Sequence, residues 1–160
     1  MATLKYNSTI TTEPHVIQST LEQEGILYER WGLREGNLYS SEDVVRVYKD
    51  DIQRLKQERG YKAEDVIAIN PDTQGLDETL KNFRREHIHT DDEVRFVVEG
   101  VGVFHVYSAD EQRRYTVRTE AGDLIVIPAH RKHSFELTEK RSIRCVRLFM
   151  NDQGWKAIYT

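Results

Sequence analysis

The sequence predicts a single, mainly β domain in which helices pack on a small barrel or sandwich. Two observations support this fold class. From residue 86 onward, short apolar segments with a period of two are separated by glycine, proline and acidic turns. In the first half, apolar residues recur instead at helical spacing. We therefore expect one domain over residues 1–160, with a mixed α/β part at 1–85 packed on a β core at 86–150.

Helical spacing is clearest between residues 40 and 60. The apolar positions that form one stripe of this segment are Val44, Val45, Tyr48, Ile52 and Leu55. Either serine at positions 40 and 41 can cap the start of the helix, and Gly60 can end it. A second, shorter helix is predicted from Leu76 to about Arg85.

The rest of the chain is divided into short strands. The segments 94–98 and 103–107 flank Glu99-Gly100-Val101-Gly102, and we interpret them as a hairpin whose turn uses the two glycines. The other predicted strands cover residues 65–70, 114–118, 121–128, 134–137 and 143–149. Short strands at such regular spacing are typical of a sandwich or barrel.

Composition and charge argue against several classes of protein. The net charge of -4 provides no basic surface for a phosphate backbone, so no nucleic-acid partner is expected. No apolar run approaches the roughly 18 residues of a membrane span, and the N-terminus lacks the apolar stretch of a secretory signal. Cys145 is the single cysteine, which fits a reducing compartment. We therefore expect a cytoplasmic protein and interpret Cys145 as an inert, partly buried thiol.

Histidines cluster in the second half of the chain. Four of the six lie between residues 87 and 130, and His133 follows closely. Residues of equal parity share a face of an extended strand. His87, His89, Glu93 and Arg95 all carry odd numbers, so a regular strand would point them to the same side. Burying imidazoles and a carboxylate together is costly unless a divalent ion uses their lone pairs and charge, so the pattern predicts a metal site.

A second segment supplies a further candidate ligand. His133 opens a strand in which Phe135 and Leu137 share its parity, so the face that buries the apolar residues also buries His133. His130 lies in the preceding turn, and we interpret it as either exposed or in contact with a ligand rather than as a ligand itself. His105 lies within a strand and is interpreted as a half-exposed structural histidine.

The predicted donors favour an open metal site. Three imidazoles and one carboxylate suit iron or nickel and leave two octahedral positions free, whereas structural zinc closes its shell with four ligands. Arg95 can stabilise a bound anion, because a nearby cation typically lowers an acid's pKa by about 1–3 units. The alternative for Arg95 is a surface ion pair with Asp91 or Glu93.

The two histidine segments resemble the two motifs of the cupin superfamily, and more closely those of the acireductone dioxygenase family. The resemblance spans the chain from Glu24 to Trp155. The pieces that carry it are Arg59-Gly60-Tyr61, Asn70-Pro71-Asp72-Thr73, Glu86-His87-Ile88-His89-Thr90-Asp91-Asp92-Glu93-Val94-Arg95-Phe96 and Pro128-Ala129-His130-Arg131-Lys132-His133. It implies a cupin fold, a double-stranded β-helix or jelly-roll barrel, with added helices.

The resemblance also implies a ligand set and an activity. One Fe2+ or Ni2+ ion per monomer would be held by His87, His89, Glu93 and His133, and Arg95 would promote the substrate dianion. The activity would be that of an acireductone dioxygenase of methionine salvage, which acts on O2 and 1,2-dihydroxy-3-keto-5-methylthiopentene. Iron would give formate and 4-methylthio-2-oxobutanoate, and nickel would give formate, carbon monoxide and 3-methylthiopropanoate.

Further roles follow only from the resemblance. Glu86 would act in metal incorporation and Asp92 in a conformational relay, with a solvated acidic side chain as the alternative for both. The implied substrate-pocket residues are Phe135, Arg147 and Trp155, for which a core or rim position is the alternative. Two other functions remain open at this point, namely another cupin metal dioxygenase or isomerase and a non-catalytic ligand-binding cupin. We expect a monomer whose only partners are small molecules.

Overall fold

The computed structural model describes residues 2–150 and 156–160, which form eleven strands and four helices. The strands are β1 (Thr3–Tyr6), β2 (Thr9–Thr11), β3 (Leu27–Arg30), β4 (Ala63–Ile69), β5 (His87–Ile88), β6 (Glu93–Tyr107), β7 (Arg114–Glu120), β8 (Asp123–Ile127), β9 (His133–Leu137), β10 (Ile143–Phe149) and β11 (Ile158–Tyr159). The helices are α1 (Pro14–Glu22), α2 (Ser41–Val47), α3 (Lys49–Arg59) and α4 (Leu76–Arg84). None of these helices is long and apolar enough to cross a bilayer.

The strands form two antiparallel sheets that share β6. One sheet has the order β11-β5-β9-β6-β7-β1-β2, and the other has the order β4-β10-β6-β8-β3. The first half of β6 pairs with β8 and β10, whereas its second half pairs with β7 and β9. Two sheets joined in this way by one long strand form a jelly-roll barrel, so the predicted mainly β cupin fold with added helices is confirmed.

The predicted hairpin at residues 94–107 is wrong, because β6 runs through it without a turn. Gly100 has a φ of +84° and bends the strand between the two sheets. A Cβ at this position would overlap the carbonyl oxygen of Ser142 on the neighbouring strand connection. A Cβ at Gly102 would lie 2.6 Å from the ring of Phe135. The two glycines therefore allow close packing against a bent strand, which the sequence pattern does not distinguish from a turn.

The predicted helix at 40–60 is present as two consecutive helices. Tyr48 separates α2 from α3, with a φ of -101° and a ψ of 18°. Ser40 caps α2, since its side chain accepts a hydrogen bond from the backbone N–H of Asp43, whose carboxylate accepts one from the N–H of Ser40. Gly60 ends α3 in the left-handed conformation, with a φ of +82°.

The apolar stripe of α2 and α3 packs on one face of the second sheet. Tyr48 lies 4.7 Å from the ring of Phe96, measured between ring centroids. The sheet residues of this cluster are Val94, Phe96, Val98, Leu124, Val126, Val146 and Leu148, which all carry even numbers. The odd-numbered residues of β10 and of β6 before Gly100 consequently face the other way, into the barrel. After the bend, the even-numbered Phe104 and Val106 of β6 face inward instead.

The first thirty residues add elements that the sequence did not predict. β1 pairs with β7, and β3 pairs with β8, so this segment extends both sheets. α1 buries Ile17 and Leu21 against the barrel. Strands of three or four residues are too short to display a period of two, which explains why they escape pattern analysis.

Candidate metal centre

The four predicted ligands lie where the ends of three strands meet. His87 is in β5, Glu93 begins β6 and His133 begins β9. β5 pairs with β9 so that His87 lies directly opposite His133, and β9 pairs in turn with β6. His89 follows β5 immediately. The four residues are buried, with 1–8% of their surface exposed.

Strand parity accounts for only part of this convergence. Glu93 and Arg95 share a face of β6, as expected. Residues 89–92 are not a strand, however, because the carboxylate of Asp91 accepts hydrogen bonds from the backbone N–H groups of Asp92 and Met150. The chain bends there. β9 pairs with residues 102–106 of β6, so His133 belongs to one sheet and meets Glu93, at the start of β6 in the other sheet, from across the barrel.

Backbone carbonyls fix the tautomer of all three histidines. The Nδ1 atom of each imidazole lies within 2.7–3.0 Å of a carbonyl oxygen. The acceptors for His87, His89 and His133 are the carbonyls of Arg85, Lys156 and Arg131, respectively. A carbonyl only accepts, so Nδ1 carries the proton and Nε2 keeps a free lone pair. Metal-binding histidines are typically oriented by such a bond.

The spacing of the donor atoms fits one divalent ion. One nitrogen from each of the three histidines lies within 4.8 Å of the others. Glu93 Oε2 lies 2.9 Å from His133 Nε2, and Glu93 Oε1 lies 3.5 Å from His89 Nε2. Donors about 2.0–2.2 Å from a shared octahedral ion are roughly 3 Å apart at neighbouring positions. His89 Nε2, His133 Nε2 and Glu93 Oε2 are buried without a hydrogen bond from any described residue, and an ion would satisfy all three.

The protonation states also suit metal ligands. Burial would raise the pKa of Glu93, but Arg95 and His133 outweigh it and hold that pKa well below its usual range. Burial lowers the pKa of His87, so its imidazole is neutral at pH 7. Burial would lower the pKa of His133 too, but the charge of Glu93 outweighs burial and raises it. A bound cation would replace the proton in that pair.

Arg95 forms an ion pair, but a partly buried one inside the barrel rather than the surface pair considered as an alternative. Its Nη2 lies 2.8 Å from Glu93 Oε1, and the Arg95 side chain is only 14% exposed. Its Nη1 donates to the carbonyl of Val94 at 2.9 Å. Arg95 also lines the cavity beside the donors, as Glu93 does, so its guanidinium is close to a small molecule bound there.

A cavity of about 620 Å³ opens beside the donor cluster. Its wall changes from charged to apolar along β10. Arg147 lies opposite Arg95 on β6, whereas Cys145 and Ile143, further along the same face of β10, pair with Ile67 and Ile69 of β4. The remaining apolar lining residues are Phe83, Phe104, Phe135, Ala157 and Tyr159. The cavity therefore suits a small molecule with an anionic end and an apolar tail.

The predicted pocket residues Phe135 and Arg147 both line this cavity. The ring of Phe135 lies 4.8 Å from that of Phe104 and 5.7 Å from that of Phe83. Arg147 is held from the other side by Asp65, whose Oδ1 lies 2.8 Å from its Nε. Trp155, the third predicted pocket residue, lies outside the described residues.

The structure adds lining residues that sequence reasoning missed. Thr79, Asn82 and Phe83 reach the cavity from α4, and their spacing of three and four could have marked one face of that helix. Lys156 and Tyr159 reach it from the C-terminal segment. No local pattern marks those two residues, because they are brought in by the pairing of β11 with β5.

Three further side chains from the sequence analysis lie apart from the donors. His130 is exposed in the loop before β9, with a φ of +66°. His105 bonds Thr116 Oγ1 at 2.9 Å through its Nδ1, and burial lowers its pKa. Cys145 is fully rather than partly buried, and burial raises the pKa of its thiol to about 12, so it is uncharged at pH 7.

Glu86 and Asp92 border the site. Asp92 is not a freely solvated side chain, whereas the side chain of Glu86 is 39% exposed. Asp92 accepts hydrogen bonds from the hydroxyl of Tyr61 at 2.7 Å and from the backbone N–H of Ala129 at 3.0 Å. It thus connects the end of α3 with the loop that precedes His133. Glu86 Oε2 is buried without a hydrogen bond from the described residues and lies 3.8 Å from Lys132 Nζ.

Comparisons with known proteins agree with this geometry. The sequence model of the ARD/ARD' family matches residues 3–157. "Acireductone dioxygenase" of Sulfurihydrogenibium sp. (strain YO3AOP1) is 38% identical, covering 96% of this chain and 90% of that protein. The protein of the same name from Bacillus cytotoxicus is 39% identical, covering 96% and 95%.

A solved structure extends the likeness to three dimensions. It is an acireductone dioxygenase from Bacillus anthracis with a cadmium ion in its active centre, 35% identical in sequence. The TM-score is 0.90, and the match covers 99% of this chain and 98% of that one. From its sequence, its fold and its buried donor cluster together, this chain belongs to the ARD/ARD' family, the family of the acireductone dioxygenases.

Proposed function

We propose that this chain is an acireductone dioxygenase of methionine salvage, acting in the cytoplasm as a monomer on O2 and 1,2-dihydroxy-3-keto-5-methylthiopentene. One observation supports this most strongly. Three histidines oriented by backbone carbonyls bring one ring nitrogen each within 4.8 Å of one another, next to an ionised carboxylate and beside a cavity with two arginines. The relatives that carry this name are 38% and 39% identical, and the solved relative holds a metal ion.

The proposed ligands of one Fe2+ or Ni2+ ion are His87, His89, Glu93 and His133. A bound ion would be held by these four donors and would supply Lewis acidity that favours the ionised enediol. The protein itself keeps the donor side chains in the orientation and the protonation state that a metal ion requires. The backbone carbonyls orient the imidazoles, and Arg95 keeps Glu93 ionised.

Arg95 and Arg147 would hold the negative charge of the substrate. Both guanidiniums line the cavity, and both belong to the same face of the sheet. Two nearby cations lower the pKa of an enediol and favour the dianion, which is the electron-rich form that reacts with O2. Each arginine already has a carboxylate neighbour, Glu93 or Asp65, which keeps its position fixed without a ligand.

The apolar part of the cavity would bind the methylthio tail. Ile67, Cys145 and Ile143 follow Arg147 along the barrel wall, and Phe135 closes the opposite side. Seating the tail there excludes water from the reacting enediol, which strengthens the electrostatic effect of the two arginines. The neutral thiol of Cys145 serves as part of this apolar wall.

The products would depend on the ion. With Fe2+ we expect formate and 4-methylthio-2-oxobutanoate, and with Ni2+ we expect formate, carbon monoxide and 3-methylthiopropanoate. The donor set accepts either ion, so metal supply decides between them more than affinity does.

The proposal is tested by turnover with each metal. Purified protein stripped of metal and reloaded with Fe2+ should consume the acireductone under air and release formate, and the Ni2+ form should also release carbon monoxide. A protein that binds both ions and turns over with neither would refute the dioxygenase assignment. The remaining readings would then be a different cupin enzyme or a ligand-binding cupin.

A further inference from the structure

The C-terminal segment 156–160 lies along the strand that carries the first candidate ligand. β11 pairs with β5 in antiparallel register, with Tyr159 opposite His87 and Ile158 opposite Ile88. The backbone N–H of Thr160 donates to the carbonyl of Glu86 at 3.2 Å. The segment is therefore an edge strand of the sheet that contains the metal centre.

His89 depends on this segment in a way that the other two histidines do not. The Nδ1 atoms of His87 and His133 donate to backbone carbonyls that lie only two residues earlier in the chain. His89 Nδ1 donates instead to the carbonyl of Lys156, 67 residues away, at 3.0 Å. The orientation of His89 is consequently fixed by a tertiary contact, which is lost if the C-terminal strand separates from β5.

The strand is held by its Tyr159 side chain as well as by its backbone. The Tyr159 ring lies 5.9 Å from the imidazole of His87, inclined at 65°. The guanidinium of Arg85 stacks on the same Tyr159 ring in a cation–π contact, with its Cζ 3.9 Å from the ring centroid. A strand of two residues makes few backbone hydrogen bonds, so side-chain contacts contribute a large part of its attachment.

We propose that Tyr159, clamped between Arg85 and His87, is a positioning residue of the metal centre. Its ring packs against the His87 imidazole directly, and by anchoring β11 it keeps the Lys156 carbonyl on His89 Nδ1. This role rests on the proposed metal centre, since it concerns how firmly two of its ligands are held. A loosened strand would free two of the four donors together, so the ion would leave faster.

Four variants of the full-length, nickel-loaded protein separate this role from general stability. Tyr159→Ala removes the ring, and Arg85→Gln removes the cation while leaving the Arg85 carbonyl on His87. Tyr159→Phe keeps the ring and is the rescue variant. Ile158→Ala is the matched control, because Ile158 precedes Tyr159 in β11, is 47% exposed and does not line the cavity.

The first measurement is the rate at which excess EDTA removes nickel from each protein. We expect Tyr159→Ala and Arg85→Gln to lose the ion about three- to tenfold faster than the wild type, as loss of a cation–π contact implies. Tyr159→Phe and Ile158→Ala should match the wild type. Adding Arg85→Gln to Tyr159→Ala should have little further effect, because both substitutions break the same contact.

The second measurement observes the ligands themselves. In the cobalt-loaded protein, the imidazole Nδ1–H protons of bound histidines give separate, paramagnetically shifted NMR signals. Tyr159→Ala should speed solvent exchange of one or two of these protons and leave that of His133 unchanged. Equal nickel release and equal proton exchange in wild type, Tyr159→Ala and Arg85→Gln would overturn the positioning role.

Two other outcomes are also decisive. If Ile158→Ala accelerates release as much as Tyr159→Ala, the effect is general fraying of β11, and the specific role of Tyr159 is refuted. If the wild type itself retains no nickel or cobalt, the proposed metal centre fails and this inference fails with it. Retention by the wild type together with unchanged variants refutes the inference alone.

Discussion

Arg95 and Arg147 lie directly opposite each other on the antiparallel strands β6 and β10, inside the barrel. Like charges at opposite positions normally destabilise a sheet. Here each guanidinium has its own carboxylate, Glu93 at 2.8 Å from Arg95 and Asp65 at 2.8 Å from Arg147. The two carboxylates allow the pair to persist without a ligand, and the pair faces the cavity that we propose for a dianion.

Removing the second arginine tests that proposal. Arg147→Gln should lower kcat/KM for the acireductone by about 10- to 100-fold, the value of one or two charge-assisted hydrogen bonds of about 1.5–3 kcal/mol. Nickel content should be unchanged, because Arg147 contacts none of the proposed ligands. Arg144→Gln is the control, since Arg144 lies on the opposite face of β10 and does not line the cavity. Similar kcat/KM values for the two variants would contradict the role of Arg147.

The bend of β6 at Gly100 should make this glycine important for the free energy of unfolding. Gly100→Ala should reduce the free energy of unfolding by more than Gly75→Ala, as measured by urea denaturation of the metal-free proteins. Both glycines have positive φ, +84° and +70°, and an alanine there costs roughly 1–2 kcal/mol. Only at Gly100 would the new Cβ also overlap backbone, whereas at Gly75 nothing lies within 4 Å. Equal losses would show that the close approach of Ser142 is unimportant.

The raised pKa of Cys145 predicts slow alkylation in the folded protein. A pKa of about 12 means that the thiol keeps its proton to higher pH than an ordinary cysteine near 8.5. Reaction with iodoacetamide should therefore remain slow between pH 7 and 9.5 in the native protein. In urea, the rate should increase over the same range as the thiolate forms. Rapid native labelling at pH 8 would contradict both the burial and the apolar role of this side chain.

The hydrogen bonds that Asp92 accepts from Tyr61 and Ala129 should stabilise the folded protein. Asp92→Asn should cost about 1–3 kcal/mol of unfolding free energy, because it weakens the bonds from Tyr61 and Ala129. Tyr61→Phe should cost less, since it leaves the bond from Ala129 to Asp92 intact and otherwise removes only the hydroxyl with its bonds to Asp92 and from Arg59 Nε. Urea denaturation gives the unfolding free energy of each variant. The double variant should lose less than the sum of the two single losses, because both substitutions break the same hydrogen bond. Additive losses would indicate that Asp92 and Tyr61 do not act together.

Local sequence signals predict the end of a helix or strand correctly where a single residue type determines it. Capping chemistry predicted Gly60 as the end of the α2–α3 segment and narrowed its start to Ser40 or Ser41, of which Ser40 is the cap. The strand at residues 143–149 was predicted with its observed bounds. The same reasoning failed at Gly100, because a glycine with positive φ serves a bend as well as a turn.

In the proposed site, too, features of a single strand could be predicted and contacts between distant segments could not. Parity indicated that Glu93 and Arg95 share a face, because they belong to one regular strand. The acidic pair at residues 91 and 92 could be recognised as a site for a bend, but the sequence does not predict the bond from the backbone N–H of Met150 to Asp91 or the contact of the Lys156 carbonyl with His89. Such contacts depend on how distant segments pack, and a local period carries no information about them.

Metal stoichiometry in a matched pair of histidine variants tests the central claim most directly. The measurement is the nickel content per chain of the purified, reloaded wild type, His133→Ala and His130→Ala. We predict one ion per chain for the wild type and for His130→Ala, whose histidine is exposed in the loop before β9. His133→Ala should bind little nickel, because its Nε2 lies 2.9 Å from Glu93 in the buried donor cluster. Equal nickel contents in the two variants would contradict the proposed metal centre.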